Sequence, residues 1–196
     1  MVVFDATTML LIMFPNRVSP PIDKKTSLPV TFIPQRINGL INRMKKDKTK
    51  IVIPSPAFGE ILVRAGDDTQ SFIDIINKDS VFRVEPFCAM AAVEVALIAR
   101  QDRKGDRSSG VDENTLTYAK LKYDRQIVAI AKVHRAKALY TDDGHIIELC
   151  QKLNIEAMGV GDLEIPKDER QEKLFLTDKN LDNISHEEGI QEEATD

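Results

Sequence analysis

Val2-Val3-Phe4-Asp5-Ala6-Thr7-Thr8 is the stretch on which the fold turns. Its first three residues form a β-branched and aromatic run, the composition of a strand, and a helix-compatible apolar segment follows through Phe14. The same strand-then-helix unit recurs along the chain. Ile51-Val52-Ile53 reads as a buried strand. Ser55-Pro56 then supplies an N-cap and a proline at the first helical position. The helix opened there carries Phe58, Ile61, Leu62 and Ala65 on its buried stripe and ends near Gly66. Further strands are predicted at 81–84, 138–140 and 156–158. Helices are predicted at 34–48 (Ile37, Leu40, Ile41 and Met44 on one face), 88–101, 113–135 and 143–153. Another is capped by Asp67 or Asp68 and turns Phe72, Ile75 and Ile76 inward. Strands separated by helices imply an α/β, Rossmann-like architecture: a mostly parallel sheet of four to five strands flanked by helices, with right-handed crossovers.

Three segments interrupt this pattern. Pro15, Pro20, Pro21 and Pro29 mark an irregular stretch of about 18 residues, long for a loop and therefore functional or mobile. Residues 104–114 read as a polar, glycine-containing loop. The chain divides into one domain over 1–163 and an acidic tail over 164–196. The tail is expected to be mostly disordered, apart from the apolar Leu174-Phe175-Leu176.

Composition narrows the function. With 196 residues, 42% hydrophobic and 30% charged, the chain is ordinary globular material. Collagen-like, low-complexity and wholly disordered classes are excluded. Cys88 and Cys150 lie far apart with no Cys-x-x-Cys spacing, so neither a disulfide scaffold nor a four-thiolate zinc site is supported and a reducing compartment is expected. The longest apolar stretch, residues 9–14, is far below the roughly 20 residues of a membrane span. No basic leader precedes it, and a cytoplasmic protein without membrane contact is expected. The net charge of −4 hides an asymmetry: 10 acids and 4 bases from Lys167 onward, against 21 acids and 23 bases before it. Basic runs at Arg43, Lys45, Lys46, Lys48 and Lys50, and at Arg100, Arg103, Lys104 and Arg107, read as solvated helix ends that permit an RNA-binding face.

Four carboxylates stand out. Asp5 follows the first strand, at the carboxyl end where open α/β sheets bind ligands; a helix N-cap is its structural alternative. Glu60 sits beside the buried stripe of its helix, where a glutamate can also simply reach solvent. Asp124 aligns with Ile127, Val128 and Ala131 on an apolar stripe, so it must be paired, hydrogen-bonded, protonated or metal-bound; Lys120 or Arg125 is the structural partner. Thr141-Asp142-Asp143-Gly144 follows the 138–140 strand, and one aspartate can cap the next helix while the other points into the crevice that holds Asp5. Carboxylates gathered in one place repel unless a cation compensates, and an oxygen-only donor set suits Mg²⁺ or Mn²⁺. Such a site supports phosphodiester hydrolysis.

At these residues the sequence resembles the PIN-domain nucleases. The matching pieces are Val-Val-Phe-Asp5-Ala-Thr-Thr-Met-Leu, Pro-Ser-Pro-Ala-Phe-Gly-Glu60-Ile-Leu, Tyr-Asp124-Arg-Gln-Ile-Val-Ala-Ile-Ala and Leu-Tyr-Thr-Asp142-Asp143, over roughly residues 1–160. The resemblance implies a PIN fold and a Mg²⁺- or Mn²⁺-dependent endoribonuclease whose metal ligands and catalytic acids are Asp5, Glu60, Asp124 and Asp143. Asp142 competes as a ligand, but the family's Thr-x-Asp pattern favours Asp143. Thr7 or Thr8 is implied as a hydroxyl partner. Many relatives of this kind are VapC-like toxins, so the resemblance also implies an RNA substrate, an antitoxin protein as partner and a homodimer. The Pro-rich stretch, the 104–114 loop and the acidic tail depart from the compact toxin pattern. A non-catalytic PIN-like module that binds RNA or a protein partner is the alternative. A receiver-like domain of flavodoxin topology would need a lysine after a late strand, and Lys137 precedes its strand. His145 reads as a helix-surface histidine, since a metal site needs no protein base.

Overall fold

The computed structural model describes residues 1–105 and 115–166. Five strands, β1 (Val2–Phe4), β2 (Ile51–Pro54), β3 (Phe82–Glu85), β4 (Ala138–Tyr140) and β5 (Glu156–Met158), form one sheet in the order β3-β2-β1-β4-β5. Every neighbouring pair is parallel. That order is the doubly-wound one and excludes the flavodoxin order, in which the second strand lies at an edge. The inner strands β1, β2 and β4 are buried along their whole length, while the edge strands β3 and β5 are largely half-exposed. Burial on both faces is why these inner strands read as unbroken apolar runs. Phe4 faces Tyr140 across the β1–β4 pair, ring centroids 5.0 Å apart and edge-on.

Seven helices connect and flank the strands among the described residues: α1 (Ala6–Met13), α2 (Ile33–Lys46), α3 (Ser55–Ala65), α4 (Thr69–Lys78), α5 (Ala89–Gly105), α6 (Thr115–Val133) and α7 (Gly144–Lys152). Ile37, Leu40 and Ile41 of α2, Ala57, Ile61 and Ala65 of α3, and Ile127 to Ala131 of α6 enter one continuous core.

Several local expectations are corrected. Ser55 is the first residue of α3 and makes no cap; its hydroxyl accepts from the Phe87 N–H (3.0 Å), joining the ends of β2 and β3. Asp68 precedes α4 without capping it, because its carboxylate pairs with Arg17 at 2.5 Å. Ile75 is 43% exposed, so only Phe72 and Ile76 of the expected trio are buried. The proline-rich stretch forms a short 3₁₀ turn at Pro15–Arg17 and an antiparallel bridge between Ile22 and Pro29. Asp23 closes the bridge turn by accepting from the Lys25 and Thr26 amides.

At the other end, Leu163 is buried, Glu164 pairs with Arg43, and Arg36 donates to the Leu163 carbonyl. The described chain therefore stays against α2 past residue 163. Lys104 and Gly105 belong to α5 rather than to a loop. The rest of the expected loop at 106–114 and the tail from 167 lie outside the described residues.

Candidate functional site

In a doubly-wound sheet the crevice lies at the carboxyl ends of the strands where the order reverses, here between β1 and β4. Asp5 leaves the end of β1, and Asp142 and Asp143 follow the end of β4. A cleft of about 790 Å³ opens there, lined by Asp5, Glu60, Asp124 and Asp143 together with Lys120 and Arg64. Four carboxylates from four parts of the chain thus line one cleft. Asp142 is not among the lining residues: its carboxylate turns to the Val160 N–H (3.3 Å) and packs on Gly159. A Cβ on Gly159 would sit 2.5 Å from Asp142 Oδ1, so any side chain there would push that carboxylate out of its present place.

Asp5 is both the cap and the cleft residue. Its Oδ1 accepts from the Thr8 N–H at 2.7 Å, capping α1, while its Oδ2 accepts from the Thr141 hydroxyl at 2.6 Å. Both of these donors are neutral, and burial pushes its pKa up to about 6 against the opposing pull of those two hydrogen bonds. Thr141, fully buried, also accepts from the Asp143 N–H at 3.0 Å and so ties the acids of β1 and β4 together. Of the two expected hydroxyl partners, Thr7 lines the cleft and Thr8 donates to the Tyr140 carbonyl.

Asp143 caps α7, its Oδ1 accepting from the His145 and Ile146 amides, and its Oδ2 receives the Lys120 ammonium at 2.8 Å. Burial raises its pKa, but the Lys120 bond and the α7 amides outweigh that and hold it below the ordinary carboxylate value. Lys120 is raised in turn, by its hydrogen bond to Asp143 foremost and by the fields of Asp143, Asp124 and Glu60. Asp124 is buried, and its Oδ2 lies 2.8 Å from His145 Nδ1. Glu60 is exposed and pairs with Arg64 one turn further along α3 at 3.0 Å.

Lys120, Arg64, Thr141 and His145 join the site without a role that their sequence positions announce. The i,i+4 spacing offers Lys120 to Asp124, and the structure gives it to Asp143. Thr141 had a signal, the Thr141-x-Asp143 spacing. His145 had none, because its contact with Asp124 joins two helices.

The donor chemistry fits a hard divalent cation: four carboxylates line one cleft, and one of them, Asp5, is buried with neutral hydrogen-bond donors on both oxygens. The arrangement is not a preassembled ligand shell, since no three His, Cys, Asp or Glu side chains among the described residues are grouped to hold an ion. Lys120, Arg64 and His145 hold three of the acids by other contacts. Two of these are ion pairs of partly exposed side chains, worth about 0–1 kcal/mol each, which ion binding can displace.

The fold has a counterpart among solved structures, FitAcB from Neisseria gonorrhoeae. The two share 14% identity with a TM-score of 0.54, over 83% of this chain and 100% of that one. At this identity the likeness is one of fold. No family model matches the sequence, and no curated protein does. The chain is an α/β protein of PIN-like fold, with a carboxylate-lined cleft at its topological switch point. Among the described residues no helix is long and apolar enough to cross a membrane.

Proposed function

We propose that the protein is a metal-dependent endoribonuclease that hydrolyses RNA phosphodiester bonds in this cleft. The supporting observation is the convergence of Asp5, Glu60, Asp124 and Asp143, distant in sequence, on one cavity at the switch point. Those four side chains would hold Mg²⁺ or Mn²⁺. The ion would supply Lewis acidity, an activated water and neutralisation of charge on the phosphorus.

The chain's own groups do the rest. Thr141 and the Thr8 amide fix both oxygens of Asp5, so the buried acid presents one orientation to the cleft. His145 orients Asp124 from behind, and Asp143 is held by the first turn of α7. Arg64 and Lys120, exposed side chains lining the same cleft, offer cations to the phosphate backbone. Tyr123 lines the cleft with a half-exposed ring on which a base can stack. The toxin role, with an antitoxin partner and a homodimer, belongs to the same reading. Met90, Val93 and Leu97, exposed at i, i+3 and i+7 on α5, give it an apolar face for a protein partner.

Asp5→Asn and Asp124→Asn remove the charge of the two buried cleft acids while keeping their shape. Cleavage of a single-stranded RNA in Mn²⁺ should fall at least a hundredfold in each, with the circular dichroism spectrum unchanged. Undiminished cleavage in either purified variant would defeat the proposal. The non-catalytic alternative has one observation in its favour, the contacts that now hold three of the acids apart. It would prevail if the wild type bound RNA and cut none in Mg²⁺ or Mn²⁺.

A further inference from the structure

The cleft carries four acids, Asp5, Glu60, Asp124 and Asp143, and two cations, Arg64 and Lys120. With all of them ionised, its formal charge is −2, the charge one divalent ion cancels. The two cations are placed differently. Arg64 pairs with Glu60 inside one helix, a local i,i+4 contact. Lys120 lies one turn before Asp124 on α6 and places its ammonium 2.8 Å from Asp143 Oδ2 at the head of α7. Asp143, Asp124 and Glu60 all act on that one ammonium. The Lys120 side chain is 62% exposed, so charge rather than packing holds it there and it can swing out without disturbing the core.

We propose that Lys120 is a tethered counter-ion of the cleft: its ammonium occupies Asp143, a divalent cation must displace it to bind, and the lysine thereby sets the protein's metal affinity. The inference rests on the metal-dependent reading above. A protein-borne cation and a diffusing one compete for the same carboxylate oxygens, so binding of the ion is weakened by the free energy that the lysine contact supplies. The two are reciprocally coupled, as any two ligands of one site are. A consequence follows for the protein alone. With the lysine removed, Asp143 loses its countercharge and the neighbouring acids repel it more strongly, so the fold becomes less stable until a metal arrives.

The experiment is a calorimetric titration of the full chain with Mn²⁺, comparing the wild type with Lys120→Met, Lys120→Arg and Lys122→Met. Lys122 is exposed on the same helix but does not line the cleft, so its variant carries the same net-charge change away from the acids. Lys120→Met should bind Mn²⁺ about fivefold more tightly than the wild type, the low end of the five- to 150-fold span usual for such coupling. Lys120→Arg, which keeps the charge, should stay within about threefold of the wild type, and Lys122→Met within about twofold. In EDTA, Lys120→Met should melt below the wild type, and saturating Mn²⁺ should close or reverse that gap. Equal or weaker Mn²⁺ binding by Lys120→Met, with the wild type binding normally, would overturn the inference and leave the metal site standing. Mn²⁺ binding by none of the four proteins would overturn both. Equal tightening in Lys120→Met and Lys122→Met would reduce the effect to net charge and overturn the lysine's specific role.

Discussion

Asp5 carries two functions in one side chain, and the physics of each can be separated. As a cap it satisfies the Thr8 amide; as a cleft acid it is 3% exposed and its contacts are neutral. Its pKa rises from an ordinary value near 4 when unfolded to about 6 in the fold. Between those values the folded state binds more protons than the unfolded one, so stability falls as pH rises through that window and is lowest above it. At 1.36 kcal/mol per unit the cost at neutral pH is about 3 kcal/mol. Asp5→Asn removes it. In EDTA at pH 7.5 the variant should therefore melt above the wild type, with the two converging near pH 4, as thermal melts across pH would check. A variant less stable at every pH would show that the lost hydrogen bonds outweigh the burial of charge. The sequence already offered both roles for Asp5, since a single acid after a strand cannot tell a cap from a ligand. Only the contacts of its two oxygens, made by Thr8 and by a residue 136 positions away, show that it caps α1 and lines the cleft at once.

Elements were more legible than their ends. The strands at 51–53 and 138–140 follow directly from β-branched or apolar runs, and the amphipathic stripe of α2 from its spacing. The capping errors fall where a polar side chain has a choice of partners. Ser55 and Asp68 have capping chemistry, yet each finds a distant partner, Phe87 N–H and Arg17, that competes with the local amide. Asp143 does cap, and this complicates its use as a probe of the cleft. Asp143→Ala removes the cap as well as the charge and should cost about 0.5–2 kcal/mol in denaturant melts. Asp143→Asn keeps an oxygen for the His145 and Ile146 amides and should lose only a few tenths, apart from the Lys120 contact. If both variants lost the same stability, the cap would contribute nothing and the Lys120 contact would account for the loss.

At the scale of the whole molecule, the juxtaposition of β1 with β4 decides everything about the cleft, because it brings residue 5 against residues 140 to 143. Strand–helix alternation implies a parallel sheet, so the crevice and its acids were readable in outline. Contacts between helices were not. Lys120 and Asp124 have the spacing of a helical ion pair, and nothing in that spacing shows that the head of α7 arrives close enough to take the lysine instead. Proximity of this kind is a property of the packed molecule, and so is the response to a bound ion. An ion that binds the folded chain alone stabilises it by RT ln(1 + [L]/Kd), about 2.7 kcal/mol at a hundredfold excess over Kd. For a chain of this size each kcal/mol moves the midpoint by about 2–4 °C, so Mn²⁺ at that concentration should raise the wild-type Tm by about 5–10 °C. Asp124→Asn removes a buried acid from the cleft and should lose most of that rise. Equal shifts in the two proteins would place the ion on carboxylates outside the cleft, and no shift in either would separate the PIN-like fold of this chain from metal chemistry.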